Sequence, residues 1–125
     1  MLKTRFSFEK LEVWQEARKL VVDTYALVRK FPKEERYALG DQIRRAVVSV
    51  PSNIAEGSGR VSLKEKIHFL EIAYGSLMEV YCQLQIAADL KFINETDIES
   101  IRPRFSLISS MLTALRTAFQ KRLTS

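Results

Sequence analysis

Between Ile67 and Ala88 the apolar residues Ile67, Leu70, Tyr74, Leu77, Tyr81, Leu84 and Ala88 recur at alternating steps of three and four. An α-helix turns once in 3.6 residues, so this spacing lines one face of a long helix; a strand, whose faces alternate every second residue, cannot use it. The same rhythm returns in Ile98, Ile101, Phe105, Ile108, Leu112, Leu115 and Phe119. Two such seams in a chain of 125 residues predict an all-α protein whose helices bury their faces against one another. Four Gly and three Pro are too few for a sandwich of many tight turns and support the same reading.

Four helical segments follow. The first is expected from about Phe8 to Phe31, with Leu11, Trp14, Val21, Tyr25 and Val28 on one face and Pro32 as the stop. The second is expected to start near Lys33-Glu34-Glu35, where acids suit a helix N-terminus, and to carry Leu39, Ile43, Val47, Val50 and Ile54 inward. Pro51 lies within that pattern and should kink the helix, because the apolar period continues past it; Gly57-Ser58-Gly59 ends it. The third opens with Ser62-Leu63-Lys64-Glu65, the pattern of a capping box. A second stripe, Phe69, Ala73, Ser76, Val80, Ala87 and Leu90, makes this helix apolar over more than half its circumference. That is wider than one core needs, so the helix is either central or faces another subunit. The fourth begins at Asn94 or Thr96, with a kink or frayed first turn expected at Pro103 and Arg116, Lys121 and Arg122 complementing the C-terminal dipole. Short connections between long helices predict a single domain, residues 1–125, folded as an up-down-up-down antiparallel four-helix bundle with a kinked second helix.

Composition narrows the class further. Hydrophobic residues at 46% and charged residues at 28% are globular values. Cys82 is the one cysteine, so no intramolecular disulfide and no cysteine metal cluster is expected. The start, Met1 to Ser7, lacks the apolar run of a signal peptide, and no stretch reaches the length of a membrane span, which makes the cytoplasm the expected compartment. The net charge of +5 leans towards anionic partners, and no segment forms a basic tail; a binding surface must be gathered by folding or oligomerisation.

Residues that would support catalysis are not assembled by the spacing. His68 is the one histidine and has no second nitrogen or sulfur ligand among its helical neighbours, while Cys82 lies about four turns away and reads as a packed thiol. Gly57-Ser58-Gly59-Arg60 has a fragment of phosphate-loop composition but follows a helix, where it serves as a cap and turn. No enzyme activity, metal or cofactor is expected.

The stretch Gln42–Gly57 is unusual for a solvated helix face. Arg45, Ser49, Ser52 and Glu56 step by four, three and four, with Asn53 beside them, where long Lys and Glu side chains would be ordinary. Either this is a solvated stripe or its small residues admit a neighbouring backbone at a subunit or bundle contact, with pairing of the Arg45–Glu56 type. Two basic surfaces can be drawn: Arg44, Arg60, Lys64 and Lys66 around the turn between the second and third helices, and Lys10, Arg18, Lys19, Arg29 and Lys30 along the first. Phosphate contacts need only such groups at suitable spacing.

Several blocks together carry a family resemblance. Phe8-Glu9-Lys10-Leu11-Glu12-Val13-Trp14-Gln15, Phe31-Pro32-Lys33-Glu34-Glu35-Arg36-Tyr37, Gln42–Gly57, Ser62-Leu63-Lys64-Glu65, Phe69-Leu70 and Ala73-Tyr74-Gly75-Ser76-Leu77-Met78-Glu79 resemble the bacterial four-helix-bundle proteins encoded within intervening sequences of 23S rRNA genes. The last helix matches by pattern alone. The resemblance implies a homopentamer with a central opening, and kinship with the accessory proteins of diversity-generating retroelements, which partner a reverse transcriptase and nucleic acid. Two readings follow. One is a non-enzymatic, ring-forming protein that binds RNA or DNA, RNA first, through the basic residues above. The other is a protein-interaction scaffold, for example an accessory subunit of a reverse transcriptase, with no nucleic-acid contact of its own.

Overall fold

The computed structural model describes residues 6–125; residues 1–5, most of the segment inspected above for a signal peptide, lie outside the described part. It contains four α-helices: α1, Glu12–Val28; α2, Leu39–Ser58; α3, Leu63–Asp89; and α4, Glu95–Thr124. Two 3-10 turns, Ser7–Lys10 and Lys33–Glu35, precede α1 and α2, and no strand occurs among the described residues. α2 packs most extensively on α3, α1 on α2 and α3 on α4, and α4 also touches α1.

Helices α1 and α2 are shorter than the sequence predicts, for local reasons. The Phe6 N–H donates to the Glu9 carboxylate at 3.0 Å and Leu11 is extended, so Ser7–Lys10 is a separate turn whose Phe8 ring meets Trp14 edge-on at 4.9 Å. At the far end, Phe31 closes a turn onto the Val28 carbonyl at 3.0 Å and enters the core against Phe92, 5.4 Å between ring centroids. Arg36 Nε donates to the Phe31 carbonyl at 3.1 Å and Arg44 Nη2 to the Arg36 carbonyl at 2.6 Å. These bonds hold residues 31–38 as a clamped connection, and α2 starts at Leu39 instead of Lys33.

The buried face of α1 is Val13, Ala17, Leu20, Thr24 and Val28, one position round from the predicted stripe. Trp14, Val21 and Tyr25 are half-buried at its rim, where a large ring can cover the core edge while its polar tip stays near water. α2 follows its predicted inward face and passes through Pro51 to Ser58. Gly40 and Gly57 make its close contacts: a Cβ at either would lie 2.9 Å from Val28 Cγ1 or from Phe69 Cβ.

The two stripes of α3 merge into one buried band, Ile67, Leu70, Ala73, Leu77, Val80, Leu84, Ala87 and Ala88. Tyr74 and Tyr81 from the predicted seam sit at the band's edge, their hydroxyls accepting from Ser109 Oγ at 3.3 Å and Arg102 Nε at 2.8 Å. The Ser62 hydroxyl accepts from the Glu65 N–H at 3.1 Å, but the reciprocal bond is missing; the Glu65 carboxylate lies 3.9 Å from Arg60 instead. A complete capping box occurs at α4, where Asp97 N–H donates to Asn94 Oδ1 at 2.9 Å and Asn94 N–H to Asp97 Oδ2 at 3.1 Å. α4 therefore starts without the predicted fraying and continues past Pro103, which lies on its exposed side, to Thr124. Its seam is buried from Ile98 to Leu112; Leu115 and Phe119 beyond are half-buried.

One apolar feature is left outside this core. Ile72, Met78, Cys82 and Ile86 lie exposed on the outer side of α3, with Met78 at 40% and Ile86 at 43% exposure. Cys82 is therefore a surface thiol and not the packed one expected. Among the described residues no helix is long and apolar enough to cross a membrane.

Candidate nucleic-acid interface

Arg18 and Lys19 lie on α1, and Arg29 and Lys30 follow in the turn that closes it. All four are exposed, as is Lys10 in the preceding turn. Their surroundings differ. Lys19 lies 3.5 Å from Glu16, and Lys30 Nζ donates to Asp97 at 2.6 Å. Arg104 of α4 pairs with Glu16 and, at 3.3 Å, with Asp23, so the side of α1 towards α4 is a lattice of both signs. Arg18 stacks over Trp14 at 4.7 Å, and neither it nor Lys10 or Arg29 has a carboxylate within ion-pair distance among the described residues.

The second predicted patch does not form as drawn. Arg44 and Arg60 are separated by the length of α2, about 24 Å at 1.5 Å per residue. Arg44 is half-buried between Asp41, the Arg36 carbonyl and the Tyr25 ring, where it clamps the connection before α2. Arg60 is at the other end, 3.3 Å from Glu56 and stacked 4.8 Å over Phe69. Lys64 is exposed without an acidic partner among the described residues, and Lys66 Nζ donates to the Ser58 carbonyl at 3.2 Å.

The polar stripe of α2 divides in two. Ser49 is half-buried, with its hydroxyl 2.9 Å from that of Ser76 on α3, and Asn53 Nδ2 donates to Ser49 carbonyl and hydroxyl at 2.8 and 2.9 Å. Here the small side chains do admit a neighbouring helix, and it is α3 of the same chain. Arg45, Ser52 and Glu56 remain on the exposed line, and the partner of Glu56 within the chain is Arg60. Arg45 also borders a hollow of about 470 Å³ with Tyr25, Asp41, Arg44 and Val48.

Among the described residues, two titratable groups depart from their ordinary values. Burial pushes the Asp97 carboxyl up, but the Lys30 hydrogen bond, the Asn94 N–H and the charge of Lys30 outweigh it and hold the group below the ordinary carboxylate range. The Tyr81 hydroxyl pushes the Arg102 guanidinium up. His68 is exposed beside Phe69, and no group of three or more His, Cys, Asp and Glu side chains placed to hold a metal occurs among the described residues.

A basic feature of α4 escapes helix-by-helix reading. No Asp or Glu follows Glu99, whereas Arg102, Arg104, Arg116, Lys121 and Arg122 all do. Counting charge from the start of the helix averages the acidic cap into the basic body and hides the run.

A family model described as 23S rRNA-intervening sequence protein matches residues 9–114. Among solved structures, the chain is similar to a protein of unknown function from the S23 ribosomal protein family of Bacteroides thetaiotaomicron. The two share 23% identity with a TM-score of 0.77 over 84% of this chain and 95% of that one, a likeness of fold. No curated protein matches the chain.

Proposed function

Because the chain belongs to the 23S rRNA-intervening sequence protein family, we propose that it is a non-enzymatic cytoplasmic protein that assembles with copies of itself, as a pentamer, and binds RNA through basic surface residues. The observation that carries the binding is the set of exposed cations, Lys10, Arg18, Arg29 and Lys64, with no carboxylate partner among the described residues. They are dispersed over one chain, and ring assembly would repeat them around a shared surface. An up-down-up-down course is supported by contacts that climb α3 as they descend α2: Gly57 with Phe69, Ser49 with Ser76 and Gln42 with Gln83.

Light scattering on nuclease-treated protein, followed by salt titration against labelled structured RNA, tests both parts. The expected result is a mass near five subunits and an affinity that falls steeply as salt rises, because each phosphate contact releases counterions. A monomer would overturn the ring, and no binding at low salt would overturn the RNA contact.

A second reading is favoured by the exposed apolar side chains of the outer face of α3, Ile72, Met78 and Ile86. In it the protein is a scaffold or accessory subunit, for example of a reverse transcriptase, and this face receives a protein partner. RNA affinity unaffected by charge-removing substitutions, with a protein partner lost on Met78→Glu, would favour it.

A further inference from the structure

Helix α4 continues well past its last fully buried residue, Leu112, and past residue 114, where the family match ends. Leu115 and Phe119 are half-buried against the core and Leu123 is 42% exposed, so one apolar edge anchors these turns while the rest faces solvent. Of the five cations that follow Glu99, three are engaged: Arg104 by Glu16 and Asp23, Arg116 by Glu71 at 3.3 Å, and Arg102 by the Tyr81 hydroxyl. Lys121 and Arg122 have no carboxylate partner among the described residues.

A cation from another helix meets Arg122 at the Phe119 ring. Lys66 Nζ of α3 lies 5.9 Å, and Arg122 Cζ 5.7 Å, from the centroid of the Phe119 ring. Cations in the last turn of a helix complement its dipole, which accounts for Lys121 and Arg122, and Lys66 Nζ donates to the Ser58 carbonyl at the end of α2 at 3.2 Å, yet none of these roles supplies a negative charge to the cations that meet at Phe119. Like charges gathered round one apolar ring repel, and an anion between them relieves the repulsion. Lys64, exposed at the start of α3 and without a carboxylate partner among the described residues, adds a further charge two residues from Lys66.

We infer that Lys121 and Arg122 at the end of α4, with Lys64 and Lys66 at the start of α3, form a contact for the phosphodiester backbone of an RNA strand. The inference rests on the RNA-binding reading above and gives it a location that reading does not include. The half-buried anchors Leu115 and Phe119 hold the cations in place, so the site is ordered before the strand arrives.

The test is anisotropy of a fluorescein-labelled single-stranded RNA with the full chain and three doubly substituted variants. Lys121→Gln with Arg122→Gln removes two charges here; Lys33→Gln with Lys91→Gln removes two exposed charges at the opposite end of the fold; Lys121→Arg with Arg122→Lys keeps the charge. Loss of two contacts to a single strand should flatten the slope of log affinity against log salt by about 1.4 and weaken binding about 25-fold near 0.1 M salt. The opposite-end variant should stay within about twofold, and the charge-conserving variant should bind like the unaltered chain, which separates charge from helix fraying. Equal losses in the two neutralised variants, or none in the first, would overturn this site while leaving RNA binding intact. Absence of binding by the unaltered chain at low salt would remove the underlying reading as well. Tighter binding to single-stranded DNA of the same sequence would overturn RNA as the occupant.

Discussion

Thr24 lies at the middle of the α1 buried face with 0% exposure, and its hydroxyl has no hydrogen-bond partner among the described residues. A buried donor left unpaired costs about 1–3 kcal/mol, and valine has nearly the same shape and helix propensity. Thr24→Val is expected to raise the urea midpoint by about 1 kcal/mol of stability; a loss would mean that the hydroxyl is satisfied in solution. Two glycines should respond in opposite directions to alanine. At Gly57 a Cβ would lie 2.9 Å from Phe69 Cβ, so the helices must separate, at about 1–3 kcal/mol. At Gly75 nothing lies within 4 Å, and alanine should add about 1 kcal/mol through helix propensity alone. Thermal unfolding of the two variants reads the difference. Such details are hard to read from spacing. On α1, Val13-Ala17-Leu20-Thr24-Val28 and Leu11-Trp14-Val21-Tyr25-Val28 are both helical stripes, and they share Val28. Large rings attract the eye, yet it is Ala17 and Thr24 that allow the close packing.

At the scale of elements, the α4 cap illustrates what local sequence does and does not announce. Asn94 with Asp97 closes both bonds of the box, whereas Ser62 with Glu65, the better-known pattern, closes one. The competitor is Arg60, 3.9 Å from the Glu65 carboxylate, and such a competitor becomes visible only once the turn is folded. Asn94→Ala should cost about 1 kcal/mol, measured by denaturant unfolding. Asp97 adds a pH dependence of definite sign. Its carboxyl is held below the ordinary range in the folded chain, so its stabilisation is present above the ordinary carboxylate pKa and is lost as pH falls through the lowered one. Asp97→Asn should therefore lower stability at neutral pH and flatten this part of the acid limb in a Tm-against-pH series. An unchanged acid limb would mean that Lys30 does not hold Asp97 in solution. The helix count and the inward faces of α2 and α4 were legible in the apolar period; the starts of α1 and α2 were not, because turns built on Glu9 and Arg36 occupy what spacing alone assigns to helix.

For the molecule as a whole, the breadth of apolar surface on α3 was legible and its use only partly so. Packing against α2 and α4 absorbs Ala73, Val80 and Ala87 from the second stripe, and Ile72, Met78 and Ile86 remain outside. If copies of the chain meet along the outer face of α3, Ile72→Glu should reduce the mass in light scattering towards a single chain while leaving helical circular dichroism intact; an unchanged mass would place the contact elsewhere. The basic surfaces were less legible, because charges adjacent on paper, Arg44 and Arg60, belong to opposite ends of α2, whereas Lys66 and Arg122, remote in sequence, meet at one ring. Cys82 lies on the same outer face of α3 and is the single cysteine in the chain. The protein thus carries one chemically addressable reporter on the outer side of α3, and it reads subunit contact if copies meet there. Maleimide labelling should be fast on dilution and slow at high concentration, and its rate then becomes a clock for subunit exchange.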